Sequence, residues 1–326
     1  MYNEERKQQY LQEKSATSIL AKNLRTAMVL AETREKEYDR DMCEWTASEI
    51  ESFFKYYSST SVQTLVQLKN SLEGYTDWCV NNGLVRDNQN HYRDVTVEML
   101  CNCIDLNGLK KTVMFRKDFL KEIKSLPNFR DQFLLLGLYE GISSKYIDQV
   151  KMSDFVRDII VLPNGTKQTV SKELLHIAKL ADEEVDCMSM GSRYRDEFGY
   201  TNPGSITSSA RASFADSYPY MDGDTLVRDV VAIRRPKANP RTGIALIGIR
   251  IRQCNKFLGV NWTIKNIQES GRLQMILDLS KQFNTTPEKC ITDIDIRQIH
   301  ESRFGKLQQV SSYLMTYGKL LENICE

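Results

Sequence analysis

The chain has 326 residues, of which 41% are hydrophobic and 27% charged, with 7 prolines and 16 glycines. These proportions are typical of a helix-rich globular protein, and the length predicts two domains. No apolar run approaches the roughly 18 residues of a membrane span, and the charged start lacks the apolar stretch of a secretion signal. We therefore expect a cytoplasmic protein without a membrane partner. The net charge of +1 excludes a global attraction to nucleic acid, so DNA binding would require unevenly placed charge.

Cysteine and histidine give no sign of a metal or cofactor. The eight cysteines are scattered, and Cys101 and Cys103 are the only close pair. With three histidines in the chain, a zinc site is not expected, because such sites need four clustered Cys or His ligands. We expect buried, reduced thiols, no metal and no cofactor.

The first domain, residues 1–108, is predicted to be all-helical. Its first forty or so residues predict one long, charged helix, which either docks on its neighbours or forms an arm that reaches a partner subunit or wraps DNA. Thr46 and Glu49 form a capping-box pattern. A helix near Val95–Leu106 closes the domain. The helix between them carries apolar residues on one face, at Val62, Leu65, Leu68, Leu72, Tyr75 and Trp78.

The second domain, residues 109–326, is predicted to be α-rich with a small β-hairpin. FRKDFLKEI and the almost wholly apolar FRDQFLLLGLYEGIS predict two helices, the second in the core. β-branched runs on both sides of Pro163-Asn164-Gly165 predict the hairpin, and Ser171 is the predicted cap of the next helix. Residues 182–240 are expected to be irregular and are a candidate switch segment. Four more helices are predicted in RTGIALIGIRIRQCNKFLG, WTIKNIQESGRLQMILDLSKQF, TPEKCITDIDIRQIHESRF and QQVSSYLMTYGKLLENI.

One window of this neutral chain is strongly basic. Between Arg228 and Lys256 eight basic residues face a single acid, Asp229, and Pro236 and Pro240 keep the centre of the window out of regular helix. An exposed basic loop that leads into a helix is a natural site for phosphate. The window therefore favours contact with nucleic acid. Its bases are Arg228, Arg234, Arg235, Lys237, Arg241, Arg250, Arg252 and Lys256.

The order of these elements resembles the tyrosine recombinases, the family of the phage integrases. DQFLLLGLYEGISSKYIDQVKMSDF resembles the opening of that family's catalytic domain, and the hairpin and its following helix match the next element. LGVNWTIKNIQESG and FGKLQQVSSYLMTY resemble its two closing motifs, and the helix that ends in WCVNNG resembles its core-binding domain. The resemblance covers residues 45–320 or so. It implies a mainly α, two-domain fold with a helical core-binding domain and an α-rich catalytic-like domain.

The same resemblance implies that the chain has lost catalysis. In that family a Tyr attacks a DNA phosphate while two Arg, a hairpin Lys and two His-like groups stabilise the transition state. The alignment places Ser143 and Gln268 at the two Arg positions. Because one missing clamp costs about 10²–10³ in rate, we expect no strand cleavage. The hairpin Lys, the two His and the Tyr correspond to Lys167, Lys265, Lys306 and either Tyr317 or Tyr313.

The chain also resembles the lysogeny repressors of SPbeta-like phages, which keep this fold without the catalytic Arg residues. The resemblance implies a sequence-specific transcriptional repressor that binds operator sites in double-stranded DNA on the bacterial nucleoid and maintains the prophage. A homodimer and a protein antirepressor are further partners that it allows. Two alternatives stay open, an active integrase or recombinase and a protein-binding regulatory factor. The expected phosphate contacts are Lys69, Arg234, Arg235, Lys237, Arg241, Lys265, Arg272 and Lys306.

Overall fold

The structure is a computed structural model that describes residues 1–13, 19–188, 217–230, 242–307 and 309–325. The fold is mainly α-helical with small antiparallel sheets. The chain divides into two compact units, one of Met1–Lys111 with Gln308–Glu326 and one of Thr112–Leu307. The second unit differs from the predicted domain of residues 109–326 because the C-terminal segment groups with the first unit.

The first unit is all-helical in its described residues. Its N-terminal segment ends at Lys111, and helix α6 continues for one residue beyond that boundary. The helices are α1 (Glu4–Glu13), α2 (Ile19–Tyr38), α3 (Ala47–Tyr57), α4 (Val62–Asn81), α5 (Val97–Cys101), α6 (Leu106–Thr112) and the C-terminal α14 (Val310–Cys325).

The N-terminal region forms two helices that pack together, so the prediction of one long helix is wrong. A continuous helix would separate Lys7 from Glu35 by about 42 Å, at 1.5 Å per residue. Instead, the Nζ atom of Lys7 lies 2.5 Å from the carboxylate of Glu35, and both side chains are fully buried. The ring of Tyr10 packs against Tyr75 and Trp78 of α4, with centroids 5.2 and 5.7 Å apart. Helix α1 is therefore docked on its own unit.

Helices α3 and α4 form where their caps and periodicity predict them. The backbone N–H of Thr46 donates to the carboxylate of Glu49 at 2.8 Å, which confirms the capping box. The hydroxyl of Ser61 caps α4, and the apolar face of α4 is buried except at the half-buried Trp78. The single helix predicted near Val95–Leu106 is wrong, because α5 is short and the N–H of Asp105 donates to the carbonyl of Ser59 at 2.9 Å.

The second unit contains seven helices and five short strands in its described residues. Its helices are α7 (Arg116–Ile123), α8 (Phe129–Tyr139), α9 (Lys172–Glu183), α10 (Gly243–Leu258), α11 (Ile264–Gln282), α12 (Pro287–Thr292) and α13 (Ile294–Phe304). Its strands are β1 (Phe155–Val156), β2 (Ile159–Val161), β3 (Lys167–Thr169), β4 (Asp186–Met188) and β5 (Ser217–Pro219).

Helix α8 is the core helix of this unit, as predicted. Every residue of it from Arg130 to Tyr139 is buried, and Phe129 at its start is half-buried. Its first N–H groups, at Phe129 and Arg130, donate to the carboxylate of Glu184 at 2.9 and 3.1 Å, so a side chain from outside the helix caps it. The Arg130 guanidinium donates to the carbonyls of Thr225 and Leu226. Burial lowers the pKa of Arg130 to about 10.

The strands confirm the hairpin and add to it. β2 pairs antiparallel with β3, with Ile160 opposite Gln168, and β1 extends the sheet on the other side of β2. Ser171 caps α9 by accepting from the N–H of Leu174 at 3.1 Å, as expected. Strands β4 and β5 pair within residues 182–240, a segment predicted to be wholly irregular.

The third of the four predicted C-terminal helices is two helices. Asp293 ends α12 and caps α13, because its carboxylate accepts from the N–H groups of Asp295 and Ile296. The seven cysteines whose side chains are described are free and buried. No three Cys, His, Asp or Glu side chains form a metal cluster in the described part of the chain. No helix among the described residues has the length and apolar character that crossing a membrane requires.

Candidate functional site

Three chain segments aligned with the recombinase motifs meet at the C-terminal end of α8. The closest approach is at Gly271 of α11, where an added Cβ atom would lie 1.7 Å from the carbonyl oxygen of Tyr139. At Gly141, whose φ is +91°, an added Cβ atom would lie 3.1 Å from the Cβ of Arg303 and 3.2 Å from the ring of Phe304. The backbone therefore brings the α8 turn, α11 and the end of α13 together.

Ser143 and Gln268, which the sequence alignment predicts to stand at the two Arg positions, carry neutral side chains that bond to backbone. The amide of Gln268 donates to the carbonyl of Ile142 at 3.5 Å, directly before Ser143. The Ser143 hydroxyl accepts from the N–H of Lys145 at 3.3 Å. Neither side chain carries the positive charge that stabilises a phosphorane.

An open cavity of about 290 Å³ lies beside these residues. Lys265, Gln268 and Arg272 line it from successive turns of α11, and Phe304 lines it from α13. Lys265 is exposed, whereas Arg272 is 8% exposed. The Arg272 guanidinium donates to the carbonyls of Phe304 at 2.5 Å and Gly305 at 3.1 Å. Arg272 thus joins α11 to the end of α13. Of the two basic side chains that line the cavity, Lys265 is the one that faces solvent.

The other aligned positions fall in two groups. Lys306 is exposed two residues after Phe304, and Lys167 is exposed on β3. The neighbour of Lys167, Gln168, donates from its amide to the carbonyl of Glu140 at 2.7 Å, which places β3 against the α8 turn. Tyr313 and Tyr317 belong to the first unit, where their rings pack 4.8 Å apart on α14.

Two arginines near the site were missed by the sequence reasoning. Arg116 and Arg303 line a second cavity of about 260 Å³ together with Glu140. Arg116 pairs with Glu140 at 3.1 Å and with Glu173 at 3.4 Å. Burial lowers the pKa of Arg303. No spacing in the sequence relates Arg303 to Gly141, because their contact depends on how α13 packs on the α8 turn.

The basic window divides by the role of its side chains. Arg250 is buried and pairs with Asp131. Arg228 donates to the backbone carbonyls of Gly223 and Glu184, so its guanidinium also stabilises the fold. Arg252 and Lys256 are exposed on α10. The remaining bases, Arg234, Arg235, Lys237 and Arg241, lie outside the described residues.

In the first unit the expected phosphate contact Lys69 is already paired. Its Nζ atom lies 2.6 Å from the carboxylate of Glu73, one turn further along α4. A pair at this spacing on a helix surface contributes only about 0.3–0.5 kcal/mol. The contact between Lys69 and a DNA phosphate stays a prediction.

Low pH is expected to destabilise the protein through His300 of α13. His300 is fully buried, and burial, followed by the charge of Arg272, lowers its pKa from 6.5 to about 4. Between these values the unfolded chain binds a proton that the folded chain does not, so stability is lost as the pH falls below 6.5. The loss is about 2 kcal/mol by pH 5, at about 1.4 kcal/mol per pH unit. Denaturant unfolding at pH 7 and pH 5 measures this loss of free energy, and the His300→Gln protein should not show the contribution of His300. An equal pH dependence of both proteins would contradict the assignment.

The first 81 residues match a family model described as the MrpR N-terminal core-binding domain. The SPbeta prophage-derived uncharacterized protein YopR of Bacillus subtilis (strain 168) is 24% identical to the chain over 197 residues. The chain is similar to the MrpR and YopR type of phage protein. The alignment with YopR covers 57% of this chain and 59% of YopR, so the chain spans less than two thirds of that relative's length.

These findings confirm the resemblance to the proteins of SPbeta-like phages. The matched residues 1–81 comprise α1 to α4, so the core-binding likeness includes the N-terminal helices as well as the helix that ends in WCVNNG. The mainly α fold with a small antiparallel sheet is likewise confirmed. Residues 1–81 are thus similar to a core-binding domain, within a chain whose described residues are mainly helical.

Proposed function

We propose that the chain is a sequence-specific DNA-binding transcriptional repressor that maintains prophage lysogeny on a recombinase-related fold without cleavage activity. The likeness of residues 1–81 to a core-binding domain supports the DNA-binding part. The exposed Lys265 and Lys306 support it as well, because they stand where the recombinases place groups that face the scissile phosphate. Positive charge at this place keeps affinity for phosphate after the chemistry is lost.

The absence of cleavage rests on one observation above the others. The Gln268 amide, at a catalytic Arg position, donates to a backbone carbonyl, so it offers no charge to a transition state. Arg303 is a candidate substitute, but it shares its cavity with Glu140. That carboxylate also raises the pKa of Arg303, against the larger effect of burial. A guanidinium beside a carboxylate makes a weaker clamp for a dianionic phosphorane than a free one.

Recovery of genomic fragments tests this function. The full-length protein is mixed with sheared genomic DNA of the organism that encodes it, and the bound fragments are sequenced at low and moderate salt. A repressor enriches several discrete operators, with affinity falling by a log–log slope of about −0.9 per phosphate contacted. One enriched attachment site would favour the integrase. No enrichment at low salt would favour the protein-binding factor, for which a partner protein would have to be the ligand.

A further inference from the structure

One face of α4 is exposed and uncharged over two helical turns. Gln63, Gln67 and Asn70 share this face, at spacings of four and three residues, with Thr64 beside them. All four side chains are exposed and end in an amide or a hydroxyl group. We call these four residues the amide face.

The amide face has no role in holding the fold. The core side of α4 is made by its buried leucines and Tyr75. The charged residues of α4 are engaged elsewhere, since Lys69 pairs with Glu73 at 2.6 Å and Asp77 pairs with Arg93 at 2.9 Å. Among the described residues, the amides of Gln63, Gln67 and Asn70 bond to no other side chain, so both the donor and the acceptor of each are available.

Helix α1 covers the other half of α4 and leaves this half open. At Gly74 an added Cβ atom would lie 3.3 Å from the hydroxyl of Tyr10. One turn further, the indole N–H of Trp78 donates to the carboxylate of Glu13 at 2.7 Å. The described part of α1 therefore crosses α4 from Gly74 onwards, and the amide face lies on the N-terminal side of the crossing.

Positive charge lies close to the open half. Helix α6 begins beside the start of α4, because an added Cβ atom on Gly108 would lie 3.1 Å from the Cγ2 atom of Thr60. Lys110 and Lys111 are exposed on the last turn of α6, within one helical turn of Gly108. Neither forms an ion pair among the described residues. The surface thus combines uncharged amides with free cations.

We propose that the amide face reads base edges in the major groove of a DNA duplex, with Gln67 and Asn70 contacting adenine. An amide oxygen accepts from N6 of adenine while its NH₂ donates to N7, and this pairing is specific to Gln and Asn. A helix about 10–12 Å wide fits a major groove of about 12 Å. Lys110 and Lys111 would contact the phosphates beside the groove and set the register of α4.

The chemistry of the surface favours DNA over a protein partner. Protein interfaces are anchored by buried aromatic or aliphatic side chains at their centre. The amide face has none, since its exposed members are Gln63, Thr64, Gln67 and Asn70. The inference rests on the proposed DNA-binding function and adds which residues confer sequence preference.

The test compares the full-length wild type with the double variant Gln67→Ala/Asn70→Ala. Each protein selects binding sites from a pool of random-sequence duplexes. The wild type should enrich a motif with fixed adenines, and the double variant should lose about 10-fold to 100-fold of its preference at one or two of these positions. Binding of both proteins to a non-specific duplex should agree within about 3-fold, because the changed side chains carry no charge.

A base analogue makes the test specific for the proposed contact. Adenine in the selected motif is replaced by 7-deazaadenine, which lacks the N7 acceptor. This should weaken wild-type binding about 10-fold or more and should not weaken the double variant further. Asn81→Ala changes an exposed residue of the same type on the same helix, beyond the α1 crossing, and should leave the motif unchanged. Lys110→Ala/Lys111→Ala should weaken all duplexes alike and flatten the salt dependence.

Two results would overturn the inference in distinguishable ways. If the wild type enriches a motif and the double variant enriches the same motif with the same preference, α4 does not read the bases while the proposed function stands. If the wild type enriches no sequence at all, the proposed function fails and the reading by α4 fails with it. The exposure of both side chains means that the variants should keep the wild-type melting temperature, which is measured alongside.

Discussion

Arg250→Met is expected to lower the free energy of unfolding by about 3–5 kcal/mol. Arg250 lies on α10 with 5% of its surface exposed, and Asp131 of α8 is 1% exposed. The Nε atom of Arg250 donates to Asp131 at 2.7 Å, and its Nη2 atom donates to the other carboxylate oxygen and to the Cys187 sulfur at 3.3 Å. Methionine keeps the apolar stem but leaves the buried Asp131 charge with only the amide of Asn128. Denaturant unfolding measures the loss.

Matched variants separate this effect from a general loss of positive charge. Arg252→Met changes an exposed residue of the same helix and should alter the free energy of unfolding by less than about 0.5 kcal/mol. Arg250→Met/Asp131→Asn should be less destabilised than the two single changes added together, because it leaves no unpaired buried charge. If Arg250→Met were no more destabilising than Arg252→Met, the pair would not hold α10 on α8.

Gly271→Ala is expected to cost about 3 kcal/mol or more. Ordinary overpacking costs about 1–3 kcal/mol because side chains can adjust. At Gly271 the new methyl group would lie 1.7 Å from the carbonyl oxygen of Tyr139, and backbone atoms of α8 cannot rotate away. Helix α11 must therefore move. Gln268, which lies one turn before Gly271 on α11 and donates to the carbonyl of Ile142, must move with it. Denaturant unfolding reports the cost.

Gly248→Ala is the control for this substitution. Gly248 lies within α10, and an added Cβ atom would meet only the mobile end of Arg252, at 3.7 Å. Because alanine favours the helix over glycine, this change should stabilise the protein by about 0.5–1 kcal/mol. Opposite signs at the two glycines are the expected result. A Gly271→Ala protein as stable as the wild type would show that α8 and α11 are not in such close contact.

The helices that the sequence predicted best are those whose signals are local. Helix α4 has a hydroxyl cap at Ser61 and apolar residues at helical spacing, and α8 is almost wholly apolar after its first turn, so both follow from neighbouring residues. The break at Asp293 also has a local cause, since an Asp side chain caps a helix, but the apolar periodicity on both sides concealed it. The N-terminal pair α1 and α2 depends on the contact of Lys7 with Glu35, which no local pattern encodes.

The roles of the basic residues were harder to predict than the fold. Arg250 was counted in the basic window and Arg272 was an expected phosphate contact, but Arg250 pairs with Asp131 and Arg272 donates to backbone carbonyls. A guanidinium is buried or exposed according to partners that are far away in the chain, so a count of charge in a window cannot separate the two cases. The same reason hid Arg303 beside Gly141.

The backbone arrangement of the candidate site and the side chains at it differ in how well the sequence predicts them. The backbone convergence of the α8 turn, α11 and α13 was predictable from the order of motifs, because each motif keeps its place along the chain. The chemistry at the convergence depends on single residues, and Gln268 and Ser143 replace charge by backbone hydrogen bonds. We propose that these substitutions remove catalysis while the fold keeps its shape, since the closest contact between α8 and α11 is at Tyr139 and Gly271.

Fragment recovery separates a repressor without cleavage activity from a recombinase when half of each bound sample is treated with denaturant before the DNA is sequenced. A repressor without cleavage activity binds several discrete duplexes, all of which denaturant frees from the protein, and their recovery falls as salt rises. A fragment that stays covalently attached through Tyr313 or Tyr317 would show that the protein cleaves DNA, and the recovery of no specific fragment at low salt would show that it is not a repressor.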